Sequence, residues 1–296
     1  MGPVRTLCLD VGGTKVAGAI HEGALGEPRR RPTDADPWQT VTDVLDPLAA
    51  QGIDQLGVAV GGPMQWPAGV VSPLNIPAWR SGFPLRDRLA DRYGVPVRLH
   101  NDAPCVAIAE HWQGGWGVDD LLGMVVATGV GGGLVLGGRL VDGATGNGGH
   151  IGHVVVDPEG PPCGCGGRGC LEAVARGPAI VAWAQARGSK ALDGVALGRL
   201  AAHGDPLALQ AFARAGNALG VAIASAVQLL DVRVVAVSGG IAQVPSVWPT
   251  LRRTLAVHAR LSFAREVRVE PARLGPEASL LGAAALFEDR YWQAAD

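Results

Sequence analysis

Three glycine-rich turns, each directly after an apolar run, constrain the fold of this chain more than any other feature. They read Asp10-Val-Gly-Gly-Thr14, Thr128-Gly-Val-Gly-Gly-Gly133 and Ser238-Gly239-Gly240. Glycines beside a hydroxyl residue expose successive main-chain N–H groups, which can bind an anion. One such turn alone is usually an ordinary hairpin turn, but three of them favour a phosphate-binding protein. No P-loop sequence occurs, and no G-x-G-x-x-G with its downstream acid follows the first strand, so a Rossmann dinucleotide site is not expected.

Strand-like and helix-like segments alternate along the chain. We expect strands over Thr6–Asp10, Val16–Ile20, Leu56–Val60, Val95–Leu99, Leu121–Val126, Gly133–Leu136 and Val232–Val237. We expect helices over Trp38–Ala50, Phe83–Tyr93, Ala103–Trp112, Pro206–Leu230 and Leu280–Phe287. The polar stretch Glu27–Pro37 is expected to be an exposed loop. This alternation predicts an α/β fold in two related halves around a cleft. The domain boundary is placed near Gly114, giving a small α/β domain over 1–113 and a larger one over 114–296.

Composition excludes several classes of protein. Hydrophobic residues make up 48% of the 296 residues and charged residues 18%, so a large core can form and disorder is not expected. The formal net charge of −2 argues against a broadly basic nucleic-acid binder. The most apolar long stretch, Leu121–Leu136, is broken by five glycines, and no targeting segment is visible, so we expect a soluble, cytoplasmic protein without a membrane partner.

Two aspartates at strand ends have side chains suited to phosphoryl chemistry. Asp10 lies beside the first glycine turn, where a carboxylate tolerates phosphates only with a cation such as Mg²⁺ between them; it could instead bond its own turn. Asp102 follows Asn101 at the end of a predicted strand. It could act as a general base with Asn101 orienting hydroxyls, or it could cap the next helix. The two roles are compatible if they use different oxygens.

A cluster of one histidine and three cysteines predicts a metal site. His153 is followed by Cys163, Cys165 and Cys170. Three thiolates and one imidazole match a tetrahedral zinc site, and four protein ligands make the metal structural rather than hydrolytic. The alternative is a group of reduced cysteines without metal. Disulfides are not expected, because the five cysteines are odd in number and no secretion signal is present.

Together these motifs resemble the ROK family of sugar kinases and sugar-responsive repressors. The resemblance runs from Leu7-Cys-Leu-Asp10-Val-Gly-Gly-Thr-Lys15 to Leu281-Gly-Ala-Ala-Ala-Leu286. Its most specific part is Gly149-His-Ile-Gly-His153 with Cys163-Gly-Cys-Gly-Gly-Arg-Gly-Cys-Leu-Glu172. It implies a two-lobed, actin-like ATPase fold (ribonuclease H-like) with ATP and sugar in the interlobe cleft and the C-terminal helix packed back on the small domain. It also implies Mg-ATP-dependent phosphorylation of a hexose 6-hydroxyl.

The resemblance also assigns roles to individual residues. It implies that Asp102 is the catalytic base and that Asn101 holds sugar hydroxyls. Glu172 and His153 would contact hydroxyls near C1 and C2, with the second imidazole nitrogen of His153 on zinc. The further sugar-binding residues implied are Gly61, Gly62, Asn75 and His150. The residues implied around ATP and Mg²⁺ are Asp10, Gly12, Gly13, Thr14, Lys15, Thr128, Gly129, Gly131, Gly239 and Gly240.

His150 bears on the substrate, because many ROK kinases have glutamate at this position. N-acetylmannosamine kinases of the family resemble this chain in Gly-His-Ile-Gly-His and in the Asp157-Pro-x-Gly-Pro161 that follows. In contrast, Asn75-Ile-Pro-Ala-Trp79 looks more like the glucokinases. N-acetylmannosamine is therefore the substrate we predict, with glucose as the alternative. His150 could also reflect drift at a tolerant position.

The sequence also bears on other functions and on assembly. A sugar-sensing regulator of the family would carry a helix-turn-helix before the first glycine motif, for which Thr6 leaves no room here. A non-catalytic sugar-binding protein is disfavoured because both Asp10 and Asp102 are present. The family resemblance implies a homodimer. The choice between ATP and polyphosphate as donor is open from sequence.

Overall fold

The structure of the chain is a computed structural model that describes residues 2–293. In chain order the strands are β1 Thr6–Val11, β2 Lys15–His21, β3 Arg29–Pro32, β4 Gln55–Val60, β5 Met64–Gln65, β6 Val70–Val71, β7 Phe83–Pro84, β8 Val97–Asn101, β9 Leu121–Val126, β10 Val130–Leu136, β11 Arg139–Leu140, β12 Val234–Ser238 and β13 Arg268–Pro271. The α-helices are α1 Pro37–Ala49, α2 Leu85–Tyr93, α3 Asp102–Gln113, α4 Leu171–Ala175, α5 Gly177–Gln185, α6 Gly194–Ala202, α7 Pro206–Leu230, α8 Val247–His258 and α9 Ala278–Ala285.

The chain forms two compact units. Among the described residues, the first comprises 2–119, 133–149 and 274–293, and the second 120–132 and 150–273. The first unit contains a sheet of order β3-β2-β1-β4-β8 and a small sheet β5-β6-β7. In the larger of these, β1 is antiparallel to β2 and parallel to β4, which is parallel to β8. A further sheet has the order β11-β10-β9-β12-β13.

Alternation along β1 explains why helices cover both faces of the first sheet. Leu7 and Leu9 are fully buried in one core cluster with Val41 and Leu45 of α1. Cys8, between them, is fully buried in another cluster together with residues of α3 and α9. Successive side chains of a strand point to opposite faces. A strand that is apolar on both faces must therefore be covered twice.

Helix α9 packs closely against both β4 and α3. A Cβ on Gly57 of β4 would come within 1.9 Å of the carbonyl oxygen of Ala283. A Cβ on Gly282 of α9 would come within 1.9 Å of the carbonyl oxygen of Cys105 in α3. Glycine is required at both positions for these elements to approach so closely.

Helix α7 is the centre of the helical layer of the second unit and matches its predicted bounds. It packs against α4, α5, α6 and α8. Within residues 2–293 it is also the one helix that is long and apolar enough to cross a membrane, judged by length and composition. Because 61% of its most apolar stretch is buried inside the protein, its composition is explained by its place in the core.

Most predicted elements are confirmed, with ends that shift by one to three residues, but two predictions were wrong. The stretch Glu27–Pro37 is not a loop throughout, because it contains β3, an edge strand exposed on all four residues and paired with β2. Charged edge strands lack the apolar alternation that reveals a strand. The second glycine turn is shorter than predicted, since β10 begins at Val130 and so includes Gly131.

Candidate active site

The first glycine turn joins β1 to β2 and carries Asp10 at its entrance. Its ends are tied by the N–H of Gly12, which donates to the carbonyl oxygen of Lys15 across 2.9 Å. The side chain of Asn75 lies against Gly13, because a Cβ built on that glycine would come within 2.7 Å of the amide group. The predicted phosphate-binding turn and the predicted sugar residue Asn75 are therefore neighbours.

A second asparagine occupies the junction between β8 and α3. Asn101 is only 9% exposed, and within the described part of the chain its Oδ1 has no hydrogen-bond partner. Gly62 faces this atom, since a Cβ on Gly62 would lie 2.9 Å from Oδ1. An unpaired buried acceptor costs about 1–3 kcal/mol. The Oδ1 atom of Asn101 is therefore placed to accept a hydrogen bond from a bound hydroxyl group.

The carboxylates of Asp10 and Asp102 are both perturbed. Burial is the main cause that raises the pKa of Asp102 to about 6, and the negative charge of Asp10 raises it further. Asp102 keeps contact with solvent at the start of α3, yet protein atoms surround its carboxylate. Burial also raises the pKa of Asp10, opposed by Ser279 and Lys15. A carboxylate with a pKa near neutrality is suited to general base catalysis.

The start of α3 uses one oxygen of Asp102. Oδ1 accepts a hydrogen bond of 2.7 Å from the N–H of Ala103. The N-cap position itself belongs to Asn101, whose side chain makes no capping bond. The predicted alternative, that Asp102 stabilises the helix start, therefore holds for one of its two oxygens.

Ser279 belongs to this group but was not predicted. It lies in the first turn of α9, is 9% exposed, and its hydroxyl donates to the carboxylate of Asp10, which lowers the pKa of Asp10 against the effect of burial. The sequence Ala278-Ser-Leu-Leu reads as the start of an ordinary apolar helix. No local pattern could have shown that this serine reaches a residue near the N-terminus.

The second glycine turn, over 127–129, is held by a carboxylate. Oε2 of Glu172, in the first turn of α4, accepts a hydrogen bond of 2.9 Å from the N–H of Val130. A Cβ on Gly129 would lie 3.0 Å from the same oxygen. Glu172, which the resemblance assigns to the sugar, therefore also fixes the turn assigned to the ATP phosphates.

The third glycine turn follows β12. Gly239 has a φ of +92°, and a Cβ there would lie 2.3 Å from the carbonyl oxygen of Val126. Gly240 has open space on its Cβ side. The hydroxyl of Ser238 donates to the carbonyl oxygen of Met124 across 3.0 Å. The hydroxyl of Ser238 therefore links the third turn to β9.

The predicted metal ligands converge on one point. One ligand atom from each of His153, Cys163, Cys165 and Cys170 lies within 4.8 Å of the others. Two sulfurs of a tetrahedral zinc site, each about 2.3 Å from the ion, are about 3.8 Å apart. The sulfurs of Cys165 and Cys170 are 3.8 Å apart, and Nδ1 of His153 is 3.6 Å from the sulfur of Cys163. The four residues therefore fit zinc in both spacing and chemistry.

His150 is next to this cluster. Its ring centre is 5.2 Å from that of His153. Burial, followed by the proximity of His153, lowers the pKa of His150, whereas Glu172 opposes the shift. A lowered pKa favours the neutral imidazole, which has one donor and one acceptor.

The predicted site residues are divided between the two units. The first unit holds Asp10, Gly12, Gly13, Thr14, Lys15, Gly61, Gly62, Asn75, Asn101 and Asp102. The second unit holds Thr128, Gly129, Gly131, His150, His153, Cys163, Cys165, Cys170, Glu172, Gly239 and Gly240.

Comparison with known proteins gives one consistent family. The ROK family pattern matches residues 6–290. N-acetylmannosamine kinase of Vibrio vulnificus is 34% identical over 97% of this chain and 99% of that protein. ROK hexokinase from Thermus thermophilus is 36% identical, with a TM-score of 0.85 over 95% of this chain and 97% of that one. A ROK family glucokinase from Streptomyces griseus, solved with glucose and AMPPNP, is 30% identical, with a TM-score of 0.81 over 95% and 98% of the two chains. The chain therefore belongs to the ROK family, as its motifs predicted, and has the α/β, actin-like ATPase fold of that family.

Proposed function

We propose that this protein is an ATP-dependent sugar kinase that phosphorylates the 6-hydroxyl of N-acetylmannosamine, with glucose as the alternative substrate. The observation that carries the proposal is the junction of β8 and α3. It presents an unpaired buried Oδ1 on Asn101 beside a carboxylate, Asp102, whose pKa is raised to about 6. The amide oxygen of Asn101 can accept a hydrogen bond from a sugar hydroxyl, and the carboxylate of Asp102 can take the proton of a sugar hydroxyl. The names of the similar proteins support the same reaction class.

In the proposed reaction, Asp102 takes the proton of the sugar 6-hydroxyl. The hydroxyl oxygen forms a bond to the γ-phosphorus of ATP, and the bond from that phosphorus to the bridging oxygen breaks. ADP leaves with the electron pair of the broken bond, and the proton passes from Asp102 to solvent. Asn101 and Asn75 orient the hydroxyl groups, because their amides can both donate and accept.

The glycine turns are proposed to bind the phosphates of ATP. Gly13 and Thr14 are proposed to supply main-chain donors and Lys15 a cation, whereas Gly12, whose own N–H donates to Lys15, leaves room for the phosphates. Thr128, Gly129 and Gly131 are proposed to supply main-chain donors from the second turn. Gly239 and Gly240 are proposed to lie beside the nucleoside, where the lack of side chains gives it room.

Magnesium fits the first turn. Asp10 and Asp102 are close enough for the charge of Asp10 to raise the pKa of Asp102, so a cation beside Asp10 would offset this repulsion. Asp10 is the residue proposed to hold the ion. Bound Mg²⁺ would neutralise charge on the phosphates.

Zinc is proposed as a structural ion held by His153, Cys163, Cys165 and Cys170. Cys170 is also the N-cap of α4, the helix that carries Glu172. The metal would therefore hold the imidazole of His153 and the start of α4 in place for the sugar and the second turn.

His150 supports the proposed preference for N-acetylmannosamine. A 2-acetamido sugar offers a carbonyl acceptor where glucose offers a hydroxyl. A neutral imidazole can donate to that carbonyl, whereas an ionised glutamate cannot. The lowered pKa of His150 supports the neutral form.

We propose a cytoplasmic homodimer that binds sugar and ATP and has no nucleic-acid or membrane partner. A sugar-sensing regulator is the alternative function within the family. Raised pKa values at Asp10 and Asp102 favour the enzyme, because binding alone does not need a basic carboxylate.

A coupled ATP-turnover assay tests the proposal. It should be run with glucose, mannose, N-acetylglucosamine and N-acetylmannosamine, and with polyphosphate in place of ATP. We expect ADP release that depends on N-acetylmannosamine and is weaker with glucose. Sugar binding without turnover of any of the four would favour the regulator.

A further inference from the structure

His100 directly precedes Asn101 and Asp102 in the sequence, and both nitrogens of its ring form hydrogen bonds. His100 is 1% exposed and lies at the end of β8. The main-chain N–H of Asn101 donates to its Nδ1 across 2.8 Å. Its Nε2 lies 3.0 Å from Oδ1 of Asp142, which is 9% exposed.

These two bonds determine the tautomer of the ring. A main-chain N–H can only donate, so Nδ1 of His100 must carry a lone pair. The proton of the neutral ring is therefore on Nε2, which donates to Asp142. The partner on one side of an imidazole thus fixes the group on the other. In the hydrogen-bonded series Asp142–His100–Asn101, the direction of both hydrogen bonds is therefore fixed.

Asp142 connects this hydrogen-bonded series to a second segment of the first unit. It follows β11 and begins the loop 142–149, which ends directly before His150. The main-chain carbonyl of Asp142 accepts a hydrogen bond of 2.8 Å from the N–H of Gly148, closing the loop. The ring of Trp66 lies beside His100, with 6.5 Å between ring centres, and limits its movement.

We propose that His100 and Asp142 are positioning residues that fix the main chain of Asn101, and with it the sugar-binding amide and the base at Asp102. The inference rests on the proposed function for the role of Asn101 and Asp102. Asn101 lies where a strand ends and a helix begins, with φ −61° and ψ 151°. The bond to His100 holds its N–H at this junction, so a rotation of the peptide would move both functional side chains together.

Two substitutions separate the two bonds. In His100→Gln, the side-chain amide can still donate to Asp142, but the acceptor for the N–H of Asn101 is lost. In His100→Asn, a carbonyl oxygen near the Nδ1 position can still accept from that N–H, but the bond to Asp142 is lost. Asp142→Asn keeps the acceptor for Nε2, and Asp142→Leu removes it. His203→Gln, on the exposed histidine at the C-cap of α6, is the matched control.

Calorimetry without nucleotide should measure the affinity for N-acetylmannosamine and glucose, and a separate titration the affinity for a non-hydrolysable ATP analogue. We expect His100→Gln to weaken sugar binding by about tenfold or more, as for an unpaired buried N–H, and to lower kcat. His100→Asn and Asp142→Asn should weaken it less, and His203→Gln should not change it. Affinity for the ATP analogue should stay within about twofold throughout.

Equal losses for sugar and ATP analogue would make the pair merely structural and overturn the inference, as would unchanged sugar affinity in His100→Gln. If a His100 variant does not fold, Asp142→Leu is compared with Asp142→Asn instead. The inference is then overturned if Asp142→Leu weakens the binding of sugar and ATP analogue equally, or leaves sugar affinity unchanged. Long-range ¹⁵N NMR of the wild-type histidines, with His100 assigned from a variant, should show the Nε2–H tautomer. A proton on Nδ1 overturns the inference even if no sugar binds, whereas lack of sugar binding alone contradicts the proposed function.

Discussion

The first and second glycine turns use carboxylates in opposite ways. Beside the first turn, the pKa values of Asp10 and Asp102 are both raised, mainly by burial of their carboxylates. At the second turn, Glu172 accepts the N–H of Val130, so its carboxylate helps to hold the main chain. A carboxylate with a raised pKa, able to take up a proton near neutral pH, is therefore found in the first unit. In the second unit the carboxylate of Glu172 is a hydrogen-bond acceptor that holds the main chain, and we call it the clamp. Motifs alone do not reveal which of the two a carboxylate does.

The largest expected effect is at Asp102. Asp102→Asn keeps the size and hydrogen bonding of the side chain but removes the base, so kcat should fall by about 10²- to 10⁴-fold. Sugar affinity should change little. Steady-state kinetics and calorimetry on the same preparation measure both quantities. Turnover close to wild type would leave Asp102 with only its bond to Ala103.

Removing a ligand from the metal cluster tests whether the clamp at the second turn depends on zinc. We expect about one zinc per chain by elemental analysis, and loss of that zinc in Cys165→Ser, because four ligands are needed to close the site. The Tm should fall, and sugar binding should weaken through His153 and the start of α4. Full activity and unchanged Tm in a strong chelator, with no zinc found, would contradict the site.

Next in size is the substrate ratio at His150. Wild type should prefer N-acetylmannosamine to glucose in kcat/KM. His150→Glu should move the ratio toward glucose by about tenfold or more, since an acceptor would then face the acetamido carbonyl. Both substrates must be measured with both proteins. A ratio that does not move, or a wild type that already prefers glucose strongly, would favour the glucokinase alternative.

The raised pKa of Asp102 predicts an acid limb in the pH profile. The base must be ionised, so kcat/KM should fall about tenfold per pH unit below the pKa of about 6. The contribution of Asp102 to folding stability has the opposite pH dependence. The folded state binds this proton more tightly than the unfolded state, whose pKa is near 3.8. Asp102 therefore adds stability as the pH falls from about 6 to about 4, and this gain is lost as the pH rises. A profile that stays flat to pH 5 would contradict the shift.

The smallest expected effect separates the two roles of Glu172. Glu172→Gln keeps an acceptor for the N–H of Val130, whereas Glu172→Ala leaves that N–H unpaired, at a cost of about 1 kcal/mol or fivefold in affinity. The KM for ATP should therefore rise about fivefold in the alanine variant only. The KM for sugar should rise in both. Equal ATP effects in the two variants would show that the clamp is not needed.

The sequence was sufficient for whatever depends on local pattern. Apolar runs located strands such as β9 and the core helix α7, and the spacing of the cysteines predicted four ligand atoms that do converge. Contacts between residues distant in sequence could not be predicted. The bond of Ser279 to Asp10 and that of Asp142 to His100 depend on tertiary packing. The edge strand β3 was missed because main-chain pairing with β2, rather than its own side chains, makes it a strand.

The close packing of α9 has a consequence for synthesis of the chain on the ribosome. Strands β1 and β4 and helix α3 are complete after residue 113, yet the helix that packs against all three begins at Ala278. A nascent chain stopped anywhere between these points exposes the glycine and small-residue surface that Ala283 and Gly282 later cover. The unit that starts first is thus finished last, and premature termination near the C-terminus should be as damaging as a deletion in the N-terminal third.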